Sequence, residues 1–376
     1  MIVKPQLFKF AKDQELQLSC GTVLKDVNVE YETYGTLNDD NSNAVLICHA
    51  LTGNAHAAGK YSPEDKKPGW WDDMIGPKKA FDTDKYFMVC SNILGSCYGT
   101  TGPKSIDPKT GKEYNLNFPM ITVSDMVNTQ FHLMEFLKIK KWLAVAGGSL
   151  GGMQALQWAV SYPKSLQSVL PIATTSMLSP QSIAFDWVGR EAIMADKNFN
   201  DGQYNKDSLP ENGLAISRML AHITYLSESG MREKFGRRLQ EMNDYNFEFS
   251  HNFAVESYLK YQGAQFVNRF DANSYLYITR AMDYFNLSND CNGQGDLAKV
   301  LAKTQANFLI VSFSSDWLFP PYQSVEIVKA LQECQREVTY CEIDSDYGHD
   351  AFLLEHETLG NIVSNFLLTQ QENLSP

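Results

Sequence analysis

The chain has 376 residues, of which 44% are hydrophobic and 20% are charged, and its formal net charge is −12. This composition is typical of a globular protein, and the length fits one large domain that carries an insertion. The acidic balance excludes nucleic acid as a partner, because no run of Lys and Arg offsets phosphate repulsion. No apolar stretch approaches the length of a membrane-spanning helix, so we also expect no membrane partner.

The seven cysteines are odd in number and include no C-x-x-C pair. That pattern favours free thiols in a reducing compartment over disulfides or a zinc site. Residues 1–5 lack the apolar core of a signal peptide. We therefore expect a cytoplasmic protein without a metal centre.

Short apolar runs predict seven β-strands. In chain order they are 27–34, 44–49, 86–90, 143–146, 169–172, 308–313 and 338–343. The inner runs are continuously apolar, which is typical of parallel strands buried on both faces. Helical patterns alternate with them, at 124–137, 153–162 and 324–333. This alternation predicts an α/β fold in which helices flank a mostly parallel central sheet.

The alternation stops between residues 176 and 302. This segment shows helical patterns rich in Met, Tyr and Phe, at 181–194, 213–225, 253–266 and 274–285. We interpret 176–302 as a helical lid inserted into a catalytic domain formed by 1–175 and 303–368. Its apolar stripes are expected to form the core of the lid. A dimer contact is the alternative, because a small helical cap buries its apolar faces poorly alone.

The most specific motif is Gly147-Gly148-Ser149-Leu150-Gly151, which follows an apolar strand and precedes a helical pattern. A Gly-x-Ser-x-Gly motif in this position indicates a nucleophilic serine on a sharp, strained turn. The turn would expose the Ser149 hydroxyl at the positive end of a helix dipole. A plain Gly/Ser loop is the alternative, since short patterns of this kind occur by chance.

A serine nucleophile needs a histidine base that a carboxylate holds in one tautomer. In a sheet with the nucleophile after a central strand, these partners follow later strands in the order Ser, Asp, His. Asp316 follows the predicted strand 308–313, and His349 follows the strand 338–343. We therefore predict a triad of Ser149, Asp316 and His349. The competitors are Asp344, Asp346 and Asp350 for the acid, and His49, His56, His132, His222, His251 and His356 for the base.

The oxyanion of the tetrahedral intermediate needs two backbone N–H donors. Leu150, directly after the nucleophile, is expected to supply one, and the loop after the strand 44–49 the other. In that loop either Leu51 or Thr52 is the candidate, and the sequence does not choose between them. We interpret His49 as a packed, hydrogen-bonded residue at a strand end.

Several stretches of the chain resemble the homoserine O-acetyltransferase family of the α/β-hydrolase fold. They are 31–35 (YETYG), 49–53 (HALTG), 68–72 (PGWWD), 99–103 (GTTGP), 147–154 (GGSLGGMQ), 269–275 (RFDANSY) and 348–353 (GHDAFL). The chain departs from the family pattern at Leu150, where Met is usual, and at 95–97 (GSC), where Gly-Gly-Cys is usual.

The resemblance implies an acyltransferase that moves an acetyl group from acetyl-CoA to the hydroxyl of L-homoserine, in methionine biosynthesis. The implied route is ping-pong through an acyl-serine, with acetyl-CoA as a co-substrate and no cofactor or metal. A homodimer is also implied. Relatives in the family use succinyl-CoA or acylate serine instead, and a lidded serine esterase remains a further alternative.

The resemblance also implies a substrate pocket made by Arg218, Tyr225 and Asp350. Arg218 would bind the α-carboxylate in a bidentate manner, Asp350 would pair with the α-ammonium, and Tyr225 would add a hydrogen bond. The residues alone leave simpler roles open. Arg218 lies in an amphipathic helical pattern, where a surface ion pair is usual, and Asp350 could cap the helix that follows it.

Overall fold

An eight-stranded sheet forms the centre of the protein. The structure is a computed structural model that describes residues 1–12, 15–240, 244–245, 247–250 and 252–372, without the side chains of residues 291 and 292. The strands are β1 (Gln6–Phe10), β2 (Val27–Tyr34), β3 (Ala44–Cys48), β4 (Phe87–Ser91), β5 (Trp142–Gly148), β6 (Leu166–Ile172), β7 (Asn307–Phe313) and β8 (Val338–Ile343). Two short pairs lie outside it, Leu16–Gln17 with Val23–Leu24 and Ile75–Gly76 with Phe81–Asp82.

The strands lie in the order β1-β2-β4-β3-β5-β6-β7-β8. Strand β2 pairs antiparallel with both of its neighbours, and the remaining pairs are parallel. Strand β5 is central, since Ala144 pairs with Val45 of β3 on one side and with Ser168 of β6 on the other. The carboxyl ends of β3, β5, β7 and β8 therefore lie along one edge of the sheet, where open α/β sheets place their sites.

Helices cover both faces of this sheet. Within the described residues the α-helices are α1 (Val123–Phe136), α2 (Leu150–Ser161), α3 (Pro180–Met194), α4 (Glu211–Tyr225), α5 (Glu228–Lys234), α6 (Ala254–Val267), α7 (Ala272–Asp283), α8 (Leu297–Leu301), α9 (Pro321–Glu333), α10 (Ala351–Leu354) and α11 (His356–Glu372). Short 3₁₀ helices span Asn115–Asn117, Asn200–Gly202, Leu287–Asn292 and Gly348–Asp350.

The inner strands supply two apolar cores, one on each face. In β3, Leu46 packs into the core that contains α1 and α2, whereas Val45 and Ile47 pack into the core that contains α11. Successive side chains of a strand point to opposite faces, so a strand that is apolar throughout fills both cores. All five residues of β3 are buried, which explains its unbroken apolar run.

The segment between β6 and β7 is helical, as the sequence predicts. The four predicted helices form as α3, α4, α6 and α7. Helix α3 packs against α4 and α7, and α4 also packs against α6. The division of the chain into a catalytic domain and a lid at 176 and 302 stays a prediction.

The α/β fold with a mostly parallel sheet is confirmed, and several elements differ in their bounds from the prediction. Helix α9, for example, begins at Pro321 rather than at residue 324. Strand β1 was not predicted, because it is an edge strand in which Phe8 is the one buried residue. Helix α2 begins at Leu150 rather than at residue 153, since it starts directly after the nucleophile turn. Gly151 and Gly152 hide its first turn from a propensity-based prediction.

Within the described residues, no helix combines the length and the apolar character needed to cross a membrane. The same residues contain no group of three or more His, Cys, Asp or Glu arranged to hold a metal ion. The six cysteines with described side chains are free: Cys20, Cys48, Cys90, Cys97, Cys334 and Cys341.

Candidate active site

Ser149 occupies a strained turn between β5 and α2. Its backbone has φ 59° and ψ −124°, a left-handed conformation that non-glycine residues rarely adopt and that costs about 1–3 kcal/mol. The turn is held by the Ser149 amide, which donates to the Ile172 carbonyl over 3.0 Å, and by the Thr174 hydroxyl, which donates to the Ser149 carbonyl over 2.8 Å. Gly151 permits the close approach of β3, because a Cβ there would overlap the Cys48 carbonyl.

Ser149, His349 and Asp316 form a continuous hydrogen-bonded chain. The Ser149 Oγ lies 2.9 Å from the His349 Nε2, and the His349 Nδ1 lies 2.8 Å from the Asp316 Oδ2. All three residues are buried, with exposed fractions of 6%, 2% and 2%. With Nδ1–H donating to the carboxylate, Nε2 is free to take the serine proton, which is the arrangement that makes a serine nucleophilic.

The Asp316 carboxylate is fixed by the loop that follows β7. Its Oδ1 accepts hydrogen bonds from the backbone amides of Leu318 over 3.0 Å and Phe319 over 2.9 Å. Its Oδ2 is therefore directed at His349, so the carboxylate orients the ring and can stabilise the imidazolium.

His349 lies in a 3₁₀ turn after β8, and aromatic rings enclose its imidazole. The rings of Phe319, Phe352 and Tyr225 have centroids 5.1, 5.7 and 6.0 Å from the imidazole centroid. The turn is anchored by the Gly348 amide, which donates to the Ser315 hydroxyl over 3.0 Å. Residues of both catalytic loops therefore fix the position of the base.

The competing histidines are engaged elsewhere. His56 pairs with Glu32, His132 pairs with Glu135, and His222 lies 3.1 Å from the Tyr258 hydroxyl. His49 is buried between the Ala50 carbonyl and the Ile93 amide, as its structural interpretation predicts, and burial lowers its pKa to about 4. His356 begins α11, and His251 lies outside the described residues.

The competing acids also lie apart from the His349 Nδ1. Asp344 accepts a hydrogen bond from Ser314, and Asp346 accepts one from Ser229, both over 2.7 Å. Asp350 precedes α10, but its side chain makes no capping hydrogen bond to that helix. Asp316 is thus the carboxylate that the structure brings to the base.

A tight turn after β3 contains both candidates for the second oxyanion donor. The Gly53 amide donates to the Ala50 carbonyl over 2.9 Å, which places Leu51 and Thr52 at the centre of the turn. Leu51 lines the cavity that contains Ser149. The Thr52 hydroxyl instead accepts a long hydrogen bond of 3.5 Å from Arg218. Leu150, the other candidate, begins α2 and is buried.

The comparisons with known proteins agree with this geometry. A family model described as the alpha/beta hydrolase fold matches residues 43–356. A homoserine O-acetyltransferase of Methanohalobium evestigatum is 56% identical over 94% of this chain and 71% of its own length. A homoserine O-succinyltransferase of Magnetococcus marinus is 52% identical over 100% of this chain and 96% of its own length.

Two solved structures are similar over nearly the whole chain. A homoserine O-acetyltransferase from Bacillus anthracis has a TM-score of 0.91 at 31% identity and covers 98% of both chains. Esterase E22 has a TM-score of 0.89 at 33% identity and covers 97% of this chain and all of its own. The chain belongs to the homoserine O-acetyltransferase family of the α/β-hydrolase fold.

In this homoserine O-acetyltransferase family member, the three residues implied as substrate contacts lie on α4 and on the His349 loop. Arg218 lies on α4, with its guanidinium 4.9 Å from the ring centre of Phe266 and 5.4 Å from that of Tyr225. Arg218 has no ion pair with a carboxylate of the described residues. The surface ion pair that the sequence left open is thus absent from the described part of the chain.

Asp350 is similarly without a partner. Among the described residues, no side chain forms an ion pair with it, and it does not cap α10. Burial raises the pKa of the Asp350 carboxyl above its usual value, while the nearby His349 and Arg218 oppose that rise. Tyr225 lines the cavity that contains Ser149, close to both charges.

A buried polar network behind the oxyanion turn was missed by the sequence analysis. The Gln154 side chain on α2 donates to the His49 carbonyl over 3.1 Å and accepts from Gln130 over 2.7 Å, and the Trp158 indole donates to Gln130 over 2.7 Å. This network ties the oxyanion turn to the nucleophile helix. No local sequence pattern reveals this network, because its members lie on α1, on α2 and after β3.

Proposed function

We propose that this protein is a homoserine O-acetyltransferase, with Ser149 as nucleophile, His349 as general base and acid, and Asp316 as its orienting carboxylate. The observation that carries the proposal is the pair of unpartnered charges, Arg218 and Asp350, beside the hydrogen-bonded triad. A zwitterionic amino acid supplies one partner for each charge, and the names of the relatives agree with such an acceptor.

In the first half-reaction Ser149 attacks the thioester carbonyl of acetyl-CoA. His349 takes the hydroxyl proton through its Nε2, a C–O bond forms, and the carbon–sulfur bond then breaks. His349 returns the proton to the departing CoA sulfur. The amide of Leu150 and an amide of the Leu51–Thr52 turn would hold the oxyanion, and the position of Leu51 in the cavity favours Leu51 for this role.

In the second half-reaction the hydroxyl of L-homoserine replaces the thiol. His349 removes the hydroxyl proton, the alkoxide attacks the acetyl-serine, and the proton passes to Ser149 as the new ester leaves. Arg218 would bind the α-carboxylate, Asp350 the α-ammonium, and Tyr225 would donate a hydrogen bond. No step requires a redox cofactor, because acyl transfer involves no change of oxidation state.

The proposal also covers the oligomeric state, the cellular location and the metabolic pathway of the enzyme. Apolar side chains of Trp187, Val188 and Ile216 on α3 and α4 are about half exposed. Burial of such a surface in a homodimer would remove it from water, and it supports a dimer formed through the lid. We also propose a cytoplasmic enzyme of methionine biosynthesis, since its substrates would be acetyl-CoA and homoserine.

A lidded esterase is the second candidate function. Esterase E22 has a similar structure at 33% identity. A serine triad can activate water for attack on the acyl-serine as well as it activates an alcohol. The two functions share the acyl-serine and differ in the acceptor. A hydrolase would have no use for the charges of Arg218 and Asp350.

The acyl-enzyme provides the test. Acid-quenched mixtures of protein and labelled acetyl-CoA, without homoserine, are expected to contain one acetyl group on Ser149 by peptide mass spectrometry. The Ser149→Ala variant is expected to remain unlabelled, and Ser161→Ala, at the other end of α2, is the matched control that should label fully. If no short acyl-CoA labels the wild-type protein, the proposal is wrong.

A further inference from the structure

A carboxyl group lines the cavity that contains Ser149, and the steps above do not use it. The cavity is bounded by the loops that hold Leu51 and Phe319 and by the helices α3, α4 and α7. Among the described lining residues, the one that belongs to the types Asp, Glu, Lys, Arg and His is Asp186, on α3. The rest of the described lining is apolar or carries hydroxyl groups.

Asp186 has no partner of its own. In the described part of the chain its carboxyl makes no hydrogen bond and no ion pair. Arg190 lies one turn further along α3, but its Nη2 bonds to the Asp283 Oδ2 over 2.5 Å. Asp283 also accepts a hydrogen bond from Arg280 over 3.2 Å. Arg190, the cation whose charge acts on Asp186, is therefore paired through its Nη2 with Asp283 rather than with Asp186.

The surroundings of Asp186 disfavour its negative charge. Burial raises the pKa of its carboxyl to about 8, Asp283 adds to the rise, and Arg190 opposes it. The other titratable groups that face it are Tyr225 on α4 and Tyr275 on α7, and burial raises the pKa of both phenols. Neither phenol supplies a positive charge at neutral pH.

We propose that Asp186 selects the acyl donor by charge, so that the enzyme accepts a neutral acyl group and discriminates against one that ends in a carboxylate, such as succinyl. This inference rests on the proposed function and names the donor class for the same site. The free carboxylate of a succinyl group on Ser149 would enter a cavity that, in its described lining, holds an acid and no cation. Two carboxylates in such an enclosed space repel each other, whereas an acetyl group carries no charge to repel.

The discrimination is expected to depend on pH in the wild-type enzyme. Below about pH 8 the Asp186 carboxyl is increasingly protonated, and its repulsion of a second carboxylate fades. Above that value it is ionised, and succinyl-CoA is rejected more strongly. The CoA moiety is common to both donors, so its own ionisations cancel in the ratio of the two kcat/KM values.

The experiment measures kcat/KM for acetyl-CoA and succinyl-CoA, at saturating L-homoserine, from pH 6.5 to 9. In the wild type the acetyl-to-succinyl ratio is expected to rise with pH. In Asp186→Asn the succinyl-CoA value is expected to increase about 3–5-fold at pH 8.5, because a carboxyl with a pKa of about 8 is roughly three-quarters ionised there. The ratio is expected to become independent of pH. Glu191→Gln removes an exposed acid from the same helix and is expected to keep the wild-type ratio and its pH dependence.

The possible outcomes distinguish failure of the role of Asp186 from failure of the proposed function. A wild-type ratio that is flat with pH, or an Asp186→Asn ratio equal to that of the wild type, overturns the role of Asp186. A higher KM for homoserine in Asp186→Asn, with an unchanged donor ratio, assigns the residue to the acceptor instead and also overturns it. Failure of both acyl-CoA donors to acylate Ser149 contradicts the proposed function itself. The wild-type pH series needs no variant, so it decides even if Asp186→Asn folds poorly.

Discussion

At the scale of single residues, the site contains one carboxylate whose hydrogen bonds are complete and two charges that lack partners. Both oxygens of Asp316 are engaged, with His349 and with two backbone amides. Arg218 and Asp350 have no ion-pair partner in the described part of the chain. Both side chains are half-buried, so a substrate that supplies the opposite charge would gain a partly desolvated ion pair with each of them.

Asp350→Asn is predicted to weaken homoserine binding and to spare acylation. The amide cannot pair with the α-ammonium, and loss of one hydrogen bond to a charged group corresponds to an increase in KM of about 10–100-fold. The rate at which acetyl-CoA labels Ser149 should stay within about threefold of wild type, because the thioester does not use the ammonium site. Steady-state and quenched-flow measurements test the two parts.

The same carboxyl predicts a pH dependence of KM. Since burial raises the pKa of Asp350, the ionised form that binds the ammonium is lost as the pH falls through that raised value. The KM for homoserine should therefore increase on the acid side in the wild type and lose this dependence in Asp350→Asn. Asp344→Asn, on the same loop but exposed, should behave as wild type. Loss of acylation in Asp350→Asn would instead show that the residue acts on the triad.

At the scale of elements, the segment where α4 ends and α5 begins is attached to the loops that hold Asp316 and His349. The Trp317 indole, beside Asp316, donates to the Leu226 carbonyl over 2.9 Å. The Ser229 hydroxyl donates to Asp346 on the His349 loop over 2.7 Å. The helix that holds Arg218 and Tyr225 therefore has a fixed position relative to the triad.

The turn between β5 and α2 depends on the close approach of β3. Gly151→Ala is predicted to destabilise the protein by about 1–3 kcal/mol, because the added Cβ meets the Cys48 carbonyl of the backbone, which cannot move aside freely. Gly360→Ala in α11 is the control, since its Cβ would make ordinary contacts of 3.6 Å with Ala80 and 3.7 Å with Met74. It should stabilise the helix by about 0.5–1 kcal/mol.

Chemical denaturation measures both changes in the free energy of unfolding. Equal effects of the two alanines would contradict the steric account of the turn. Gly151→Ala should also reduce acylation of Ser149, because any shift of the turn moves the hydroxyl away from His349.

The sequence predicted the elements that carry strong periodicity and the residues that follow them in order. Seven apolar strands and the positions of Ser149, Asp316 and His349 at their carboxyl ends were readable in this way. Features that depend on contacts between distant segments could not be predicted from the sequence. Gln154 on α2 reaches the His49 carbonyl after β3, and Asp186 on α3 reaches the cavity that contains Ser149. Neither residue has a local pattern that reveals its contact.

At the scale of the whole molecule, the proposed function requires that homoserine reaches the acyl-serine before water does. The helices between β6 and β7 supply much of the cavity wall around Ser149, including Phe185, Leu220 and Tyr275. Such a wall would limit the access of water to the ester. In the proposed function, Arg218 and Asp350 would hold the homoserine hydroxyl in position and so raise its effective concentration relative to water.

The fate of the acetyl-enzyme tests this central claim most directly. Acetyl-enzyme formed from labelled acetyl-CoA and freed of excess donor is mixed with buffer alone, with L-serine or with L-homoserine, and the labelled products are separated over time. The account predicts slow release of acetate in buffer, and rapid and nearly complete conversion to O-acetylhomoserine when L-homoserine is present. Rapid release of acetate that homoserine neither accelerates nor diverts would contradict it and identify the protein as an esterase.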